Sequence, residues 1–410
     1  MNSGIYISVP FCKTKCSYCN FASGVFSKQV FRRYVDRVVE DISDWSEKKQ
    51  IPRRLTSARD DKIEVPREVD SIYLGGGTPT LLESAQLERI FATVRQVFSV
   101  TGQAEVTVEC APGTLSSDVI HTLLRCGVNR VSLGVQSFID KEASSVARLH
   151  TRAVTLEEIA RLRSAGIDNI SIDLIAGLPH QTPESWEDSL AQLIDTGVPH
   201  ASVYMLEVDE DSRLGRELIA GGTKYHAHFV PDEDLTAELY ERACERLNSA
   251  GLSQYEISNF AHPGSESRHN LKYWTRQPYL GFGVDAHSML LSEPGAKIES
   301  LRLATTDSLE QYLSGAPLME TPVDDYAAIE EAFFLGLRLN RGVDFEGLAE
   351  RYGTAATITF REEFAEMAQS GLVEVEEGFI RLTARGRLLS NEVFSRLISS
   401  ETATNAPIGD

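Results

Sequence analysis

The sequence predicts an α/β fold: an open, partial (β/α)6 barrel followed by a small, mostly helical domain of winged-helix type. Two observations carry the first part. Six apolar runs alternate with amphipathic stretches in the first half, the mark of a parallel sheet covered by helices. A weak repeat, "RCGVNRVSL", "SAGIDNISI" and "DTGVPHASV", reads each time as a helix end, a glycine and a strand, and "SAGLSQYEI" near residue 250 offers one more copy. Six units are too few to close an eight-stranded barrel, and a doubly wound sheet is the alternative. The third observation is that this rhythm ends after about Leu290.

Taken in order, the strands are "IYISVPF", "SIYLGGG", "EVTVEC", "RVSLGVQS", "NISIDLIAGL" and "ASVYMLEV". Between them "LESAQLERIFATVRQVF" and "TLEEIARLRSAG" place apolar residues at helical spacing. The charged, proline-containing stretch from Lys48 to Val69 interrupts the pattern and reads as a surface insertion. Near the end, "YAAIEEAFFLGLRLNRGVD" is a helix closed by glycine, and "LVEVEEGFIRLT" is a hairpin between further helices. The expected division is 1–240 for the barrel and its site and 241–300 for an extension carrying "RHNLKYW". Residues 301–396 form the C-terminal domain, read as a structural cap rather than a DNA binder, and 397–410 a disordered tail.

Composition narrows the function. An apolar fraction of 42% and a charged fraction of 24% suit an ordinary globular chain, and a net charge of −20 disfavours nucleic acid and anionic membrane. No apolar run approaches the roughly eighteen residues a spanning helix needs. Met1 to Ile5 is too short and polar for a signal peptide, so a reducing cytoplasm is expected, where clustered cysteines bind metal or do chemistry.

"CKTKCSYCNF" holds three of the six cysteines at spacing C-x3-C-x2-C. Structural zinc takes four protein ligands, and a four-iron cube normally takes four cysteines. Three thiolates would leave one iron open to a small molecule; a three-cysteine zinc site and buried or disulfide cysteines are the alternatives. "YLGGGTPTLL" adds three glycines after a strand, Gly75 to Gly77, whose backbone can approach a ligand's polar groups closely.

Together "YISVPFCKTKCSYC", "GGGTPT", "EVTVECAP", "LGVQSF" and "IDLIAGLP" resemble the radical S-adenosylmethionine (SAM) superfamily. Within it they resemble the branch of oxygen-independent coproporphyrinogen III oxidases and HemW-type heme chaperones, from about Tyr6 to Phe394. The resemblance implies a [4Fe–4S] cluster on Cys12, Cys16 and Cys19, with the amine and carboxylate of S-adenosyl-L-methionine on the remaining iron. It assigns SAM contacts to Tyr6, Tyr18, Gly76, Gly77, Thr78 and Glu109, and a second cofactor site to Gln136, Arg148 and Asp173. It makes residues 301–396 a HemN-type domain.

Three departures matter. Phe21 stands where the oxidase branch has a fourth cysteine, and the first strand begins within six residues, where the oxidase carries an N-terminal extension. Ser8 stands where the family usually places a histidine. "RHNLKYW" resembles the H-N-x-x-Y-W motif of the heme chaperones, which implies His269 as a heme-iron ligand flanked by Tyr273 and Trp274; a structural hydrogen bond is the alternative. His287 is a further candidate, and His226 and His228 in "YHAHF" read as incidental. The function so implied is a heme chaperone that binds heme and passes it to an acceptor protein, without coproporphyrinogen III dehydrogenase activity. An electron donor is needed if SAM is cleaved. Oxidative decarboxylation of coproporphyrinogen III is the alternative, and a zinc-binding interaction module a third reading.

Overall fold

Each predicted strand is present in the computed structural model, which describes residues 2–45, 63–64, 67–293 and 296–398. They are β1 (Ser3–Val9), β2 (Glu68–Gly76), β3 (Ser99–Cys110), β4 (Arg130–Gln136), β5 (Ile170–Ala176) and β6 (His200–Met205). All pair in parallel and in sequence order, the arrangement of a (β/α)6 partial barrel. The crossovers carry α1 (Lys28–Ser43), α2 (Ser84–Val97), α3 (Ser117–Arg125), α4 (Asp140–Ser145), α5 (Arg152–Ser164) and α6 (Pro183–Thr196). The helix starts are well signalled: Ser116, Thr151 and Thr182 each accept from the backbone N–H three residues on.

The strands are not the continuous apolar runs the sequence suggests. Ile5, Ile7 and Val9, Ile72 and Leu74, Val131 and Leu133, and Ile170, Ile172 and Leu174 are fully buried in the core shared with α2 residues such as Leu87, Ile90 and Phe91. The residues between them, among them Tyr6, Tyr73, Glu109, Ser132, Asp173 and His200, line the opposite face and contact one another. Apolar side chains therefore pack outward under the helices, and the barrel interior is polar and aromatic. Serines, threonines and tyrosines at alternate positions make each run look apolar throughout.

Both edges of the barrel continue. After α7 (Arg213–Ala220) and α8 (Glu233–Ser249), β7 (Ser253–Gln254) and β8 (Asn259–Ala261) extend the β6 edge. The repeat copy at "SAGLSQYEI" has its left-handed glycine, Gly251 at φ +86°, and a short strand, but β7 runs antiparallel to β8. It closes the sheet instead of adding a parallel unit. At the other edge, past α9 (Arg268–Trp274), β9 (Tyr279–Phe282) lies parallel to β1. β10 (His287–Leu291), β11 (Ser300–Ala304), α10 (Leu309–Leu313) and β12 (Met319–Val323) then complete a 12-stranded sheet.

The sheet thus runs past residue 300, and a second core, around Phe333, Phe345, Phe360, Phe364 and Met367, is built from α11 (Asp325–Gly336) onward with Ile257 packed into it. Around it lie β13 (Val343–Asp344), α12 (Phe345–Tyr352), α13 (Thr354–Gln369), the hairpin β14 (Val373–Glu376) and β15 (Phe379–Leu382), α14 (Ala384–Leu388) and α15 (Ser390–Leu397). Helices against a three-stranded antiparallel sheet make the winged-helix-like unit the sequence predicts. Buried ions tie it to the sheet: Arg276 pairs with Glu299 (2.9 Å) and Glu331 (2.8 Å), and Arg302 with Glu331 (2.9 Å). The expected insertion at 48–69 and tail at 397–410 fall largely outside the described residues.

Candidate functional site at the open end of the barrel

β1 ends at Val9, and the chain then swings out through the cysteines and returns. Cys12 N–H donates to Gly24 O (2.8 Å) and Gly24 N–H to Pro10 O (2.8 Å), which pins the loop's base. Its tip rests on the turn after α4, where Thr14 Oγ1 donates to Ala147 O (3.1 Å) and Ser17 N–H to Val146 O (3.4 Å). Arg148 leaves that turn to donate through Nη1 to Cys16 Sγ (3.4 Å) and through Nη2 to Gly134 O. Its buried Nε has no partner among the described residues. Tyr18 packs on Val146, Ile175 and Leu178, while Phe21 is exposed and its carbonyl accepts from Lys15 Nζ (2.9 Å).

Do these residues suit an iron–sulfur cluster? Burial pushes the Cys12 and Cys19 thiols up, and neighbouring sulfurs raise both further, Cys19 and Cys16 acting on Cys12 and Cys16 on Cys19; the Ser23 hydroxyl faces both and that of Thr78 faces Cys12. Such thiols stay protonated unless positive charge arrives. A cationic cluster brings that charge, and Arg148 already aims a guanidinium at Cys16. Among the described residues, no three His, Cys, Asp or Glu side chains are gathered as for a single metal ion. The donor set fits three-point attachment of a thiolate-held cluster.

Each glycine of the triple has its own reason. A Cβ on Gly75 would lie 2.8 Å from Glu109 Cδ and from Tyr73 Cε1. Gly76 has φ +101° and sits under Ser8 Oγ and Tyr6 Oη. A Cβ on Gly77 would come within 2.7 Å of Phe11 O and 2.8 Å of Val9 O, because this segment runs on beside the cysteine loop. Gly77 N–H donates to Val9 O (2.8 Å) and Thr78 N–H to Phe11 O (2.7 Å). Bare backbone therefore lies directly against the loop that carries Cys12.

Behind the glycines, Glu109 Oε2 accepts from Gly76 N–H (2.9 Å) and Oε1 from the Tyr73 hydroxyl (2.8 Å). Burial pushes its carboxyl up to about 7, with Asp173 adding to the rise and Tyr73, Gly76 and Arg130 opposing it. Tyr6 stacks on Tyr73 (6.1 Å), and burial together with Glu109 drives its phenol well above the usual range. Gln136 ends β4 at a register shift and holds φ 69°, a left-handed conformation rare outside glycine. Asp173 lies in mid-β5, where Ser132 Oγ (3.1 Å) and Ser171 Oγ (3.4 Å) donate to it. Burial raises its carboxyl too.

The sequence did not single out Arg130, which is 2% exposed at the start of β4. Its Nε has no partner among the described residues, and its charge lowers the proton affinities of Glu109, Asp173 and His269 alike. Only the strand alternation, once the inward face is known, points to it.

The structure does not bring His269 to this end. It lies on α9 at the other mouth of the barrel, 1% exposed, against Gly4 at the start of β1. Nδ1 is hydrogen-bonded to Ser71 Oγ (3.0 Å) and Nε2 to the Tyr273 hydroxyl (2.8 Å). Burial, with Lys272 and Arg130 nearby, lowers its pKa to about 3. The expected iron ligand thus has both ring nitrogens engaged. The rest of "RHNLKYW" is engaged as well. Glu105 accepts from the backbone N–H groups of Arg268 and His269 (3.1 Å each) at the N-terminus of α9, Lys272 pairs with Asp70 (2.7 Å), and Arg338 lies over the Trp274 ring (4.4 Å). This segment is the plug of the barrel floor. His287, partly buried, opens β10.

His226 and His228 do belong to a group at the open end. Their loop returns to the segment after β5, where His180 Nε2 and His226 Nδ1 are 3.2 Å apart. The Phe229 ring lies 4.0 Å from those of both His180 and His228. His180 is 46 residues from its partner, so spacing alone gives no sign of the group.

The profile of the Radical SAM superfamily matches residues 6–193, and that of the HemN C-terminal domain residues 323–389. A heme chaperone HemW from Bacillus subtilis is 32% identical over 400 residues, 96% of this chain and 98% of that protein. One from Mycobacterium tuberculosis is 30% identical over 404 residues, 96% of this chain and 94% of its own length. Coproporphyrinogen III oxidase (HemN) from Escherichia coli, a radical SAM enzyme, superposes with a TM-score of 0.79 at 24% identity, covering 97% of this chain and 90% of that one. This last likeness speaks to the fold.

Proposed function

The chain belongs to the radical SAM superfamily, in its heme chaperone HemW family, and on that premise we propose that it binds heme and hands it to an acceptor protein. The observation that carries this reading is the match to heme chaperones along nearly the whole of both chains. Its cofactors are a [4Fe–4S] cluster and SAM. Cys12, Cys16 and Cys19 would hold the cluster, and Gly76, Gly77 and Thr78 would offer backbone to the methionyl group. Tyr6, Tyr18, Glu109, Gln136, Arg148 and Asp173 would surround the rest of the cofactor.

When bound, the cluster and SAM would supply one-electron, hydrogen-abstracting radical chemistry if SAM is cleaved. The chain's own residues orient and insulate. Glu109 keeps acceptor capacity on both oxygens for an ammonium or a ribose diol. Tyr6 and Tyr73 wall off the lumen below, and Arg148 places positive charge at the Cys16 thiolate. If SAM is cleaved, an electron donor is a further partner in this reading, whose setting is the cytoplasm. Among the described residues no helix is long and apolar enough to cross a membrane. His269 could reach heme iron only if α9 left its seat, since both ring nitrogens are already paired.

The test is an air-free preparation with its cluster reconstituted. Heme titration should give a saturable Soret band, and coproporphyrinogen III should be returned unchanged. Conversion to protoporphyrinogen would move the chain to the oxidase branch and overturn the proposal.

A further inference from the structure

We propose that the face formed by the cysteine loop and the first turns of α1 is a docking surface for a small acidic protein that carries one electron. This rests on the reading above, in which the cysteines hold a cluster, and names the side from which its electron comes. The observation behind it is a break in charge. Residues 1–35 hold five basic side chains, Lys13, Lys15, Lys28, Arg32 and Arg33, and no acid, in a chain whose net charge is −20. All but Lys15 are exposed. Lys28 meets Glu83 (3.1 Å), while Lys13, Arg32 and Arg33 have no ion pair among the described residues. The same stretch turns apolar side chains to solvent: Phe21 is 49%, Val25 64% and Phe26 38% exposed. Phe26 makes an edge contact with the buried Phe11 (5.9 Å), which stacks on Phe31 of α1 (3.9 Å), so loop and helix form one face.

What lies beneath selects the occupant. Cys12, Cys16 and Cys19 are only partly buried, so a cluster held by them sits close under this face. Arg213 of α7 donates to Lys15 O (2.6 Å) and continues the positive charge. The acidic run Glu207 to Asp211, just ahead of α7, bounds the face and turns a negative partner away from that side, which fixes its orientation. An extended anionic membrane would meet the chain's remaining negative charge, whereas a small acidic carrier covers the positive face alone. Electron-transfer encounters are brief and bury less than about 1,200 Å², which a patch of this kind can supply. The exchange balances at one electron: the carrier is oxidised by one, the cluster is reduced by one, and no bond or proton changes hands.

The probe is a purified acidic flavodoxin, mixed without air with the full, cluster-loaded chain. Calorimetry with the oxidised probe gives its affinity over a series of salt concentrations. Stopped-flow absorbance with the hydroquinone form gives the rate of cluster reduction. Both should weaken steeply with salt. Lys13→Glu and, off the loop, Arg32→Glu/Arg33→Glu should each raise Kd about tenfold or more and slow reduction to match, while dithionite reduces the cluster to the wild-type extent. Phe21→Ser should weaken binding without changing the salt slope. Arg341→Glu/Arg396→Glu, a like change of charge on exposed positions of the C-terminal domain, should alter neither. Iron content and far-UV circular dichroism report that each variant is loaded and folded. Loaded variants that bind and accept electrons like wild type overturn the surface and leave the chaperone reading intact. So does a wild-type cluster that dithionite reduces and the probe does not. Capture by phosphatidylcholine–phosphatidylglycerol vesicles without binding of the probe overturns the choice of partner. A chain that assembles no cluster overturns this proposal together with the cofactor reading.

Discussion

Replacing Glu109 with glutamine should make the protein more stable and worse at binding SAM. The side chain is buried, and its carboxyl titrates at about 7 instead of 4.5. The folded state therefore holds this proton more tightly than the unfolded chain does, and between those two values stability falls as pH rises. Above about pH 7 the loss is complete; at ~1.4 kcal/mol per pH unit it amounts to about 3 kcal/mol. Glutamine keeps the acceptor for Gly76 N–H, and its amide can donate to the Tyr73 hydroxyl, so geometry is preserved while the charge goes. Urea unfolding of SAM-free protein should show Glu109→Gln ahead by about 1 kcal/mol at pH 5.5 and about 3 kcal/mol at pH 8.5. Its SAM affinity, measured by calorimetry on the cluster-loaded form, should drop despite that gain. A stability gap that does not change with pH would refute the electrostatic argument, and undiminished SAM affinity would refute the role.

Two further substitutions probe the frame. Gly77→Ala puts a methyl group against the backbone of Val9 and Phe11; thermal unfolding should show a loss of about 1–3 kcal/mol, with SAM affinity falling as Thr78 is displaced. Glu331→Gln leaves Arg276 and Arg302 short of a buried counter-charge, and should cost about 3–5 kcal/mol in urea unfolding. Despite burial, the two arginines hold the Glu331 carboxyl below the usual range. The wild-type advantage is accordingly present above the ordinary glutamate pKa and fades as pH falls through the depressed one.

What the sequence reveals follows the range of each interaction. The cysteine loop is legible because its three thiols sit within eight residues, and the glycine triple because it follows a strand directly. Strand and helix positions are legible because burial repeats along the chain. The face a strand turns inward is another matter. "RVSLGVQS" reads as one apolar run, yet Arg130, Ser132 and Gly134 line the lumen while Val131, Leu133 and Val135 are buried in the core under the helices. Nothing within those eight letters says which set faces a ligand. The fate of His269 depends on Ser71, 198 residues away, and on how α9 seats against β1 and β2. A motif can be recognised from its letters; whether its imidazole faces solvent or a serine is decided by packing.

The two mouths of the barrel differ in how their polar groups are spent, and that difference is the strongest guide to their work. At the floor, His269, His200, Glu105 and Lys272 each find protein partners: His200 bridges Ser171 (2.8 Å) and the Tyr255 hydroxyl (2.9 Å), and Glu105 takes two backbone N–H groups. Buried polar groups paired in this way stabilise the fold. Some floor atoms, Arg130 Nε and Trp274 Nε1 among them, are also unpaired among the described residues, but at the open end unpaired atoms stand beside a poised acid and a strained backbone. The Nε of Arg148 and the hydroxyl of Ser17 are buried without partners among the described residues, Glu109 is held at the edge of ionisation, and Gln136 is kept in a left-handed conformation. Each costs free energy in the bare protein, about 1–3 kcal/mol apiece for such features. Costs of that kind persist where a ligand relieves them, so this end is where the chemistry of the cluster and SAM is to be sought.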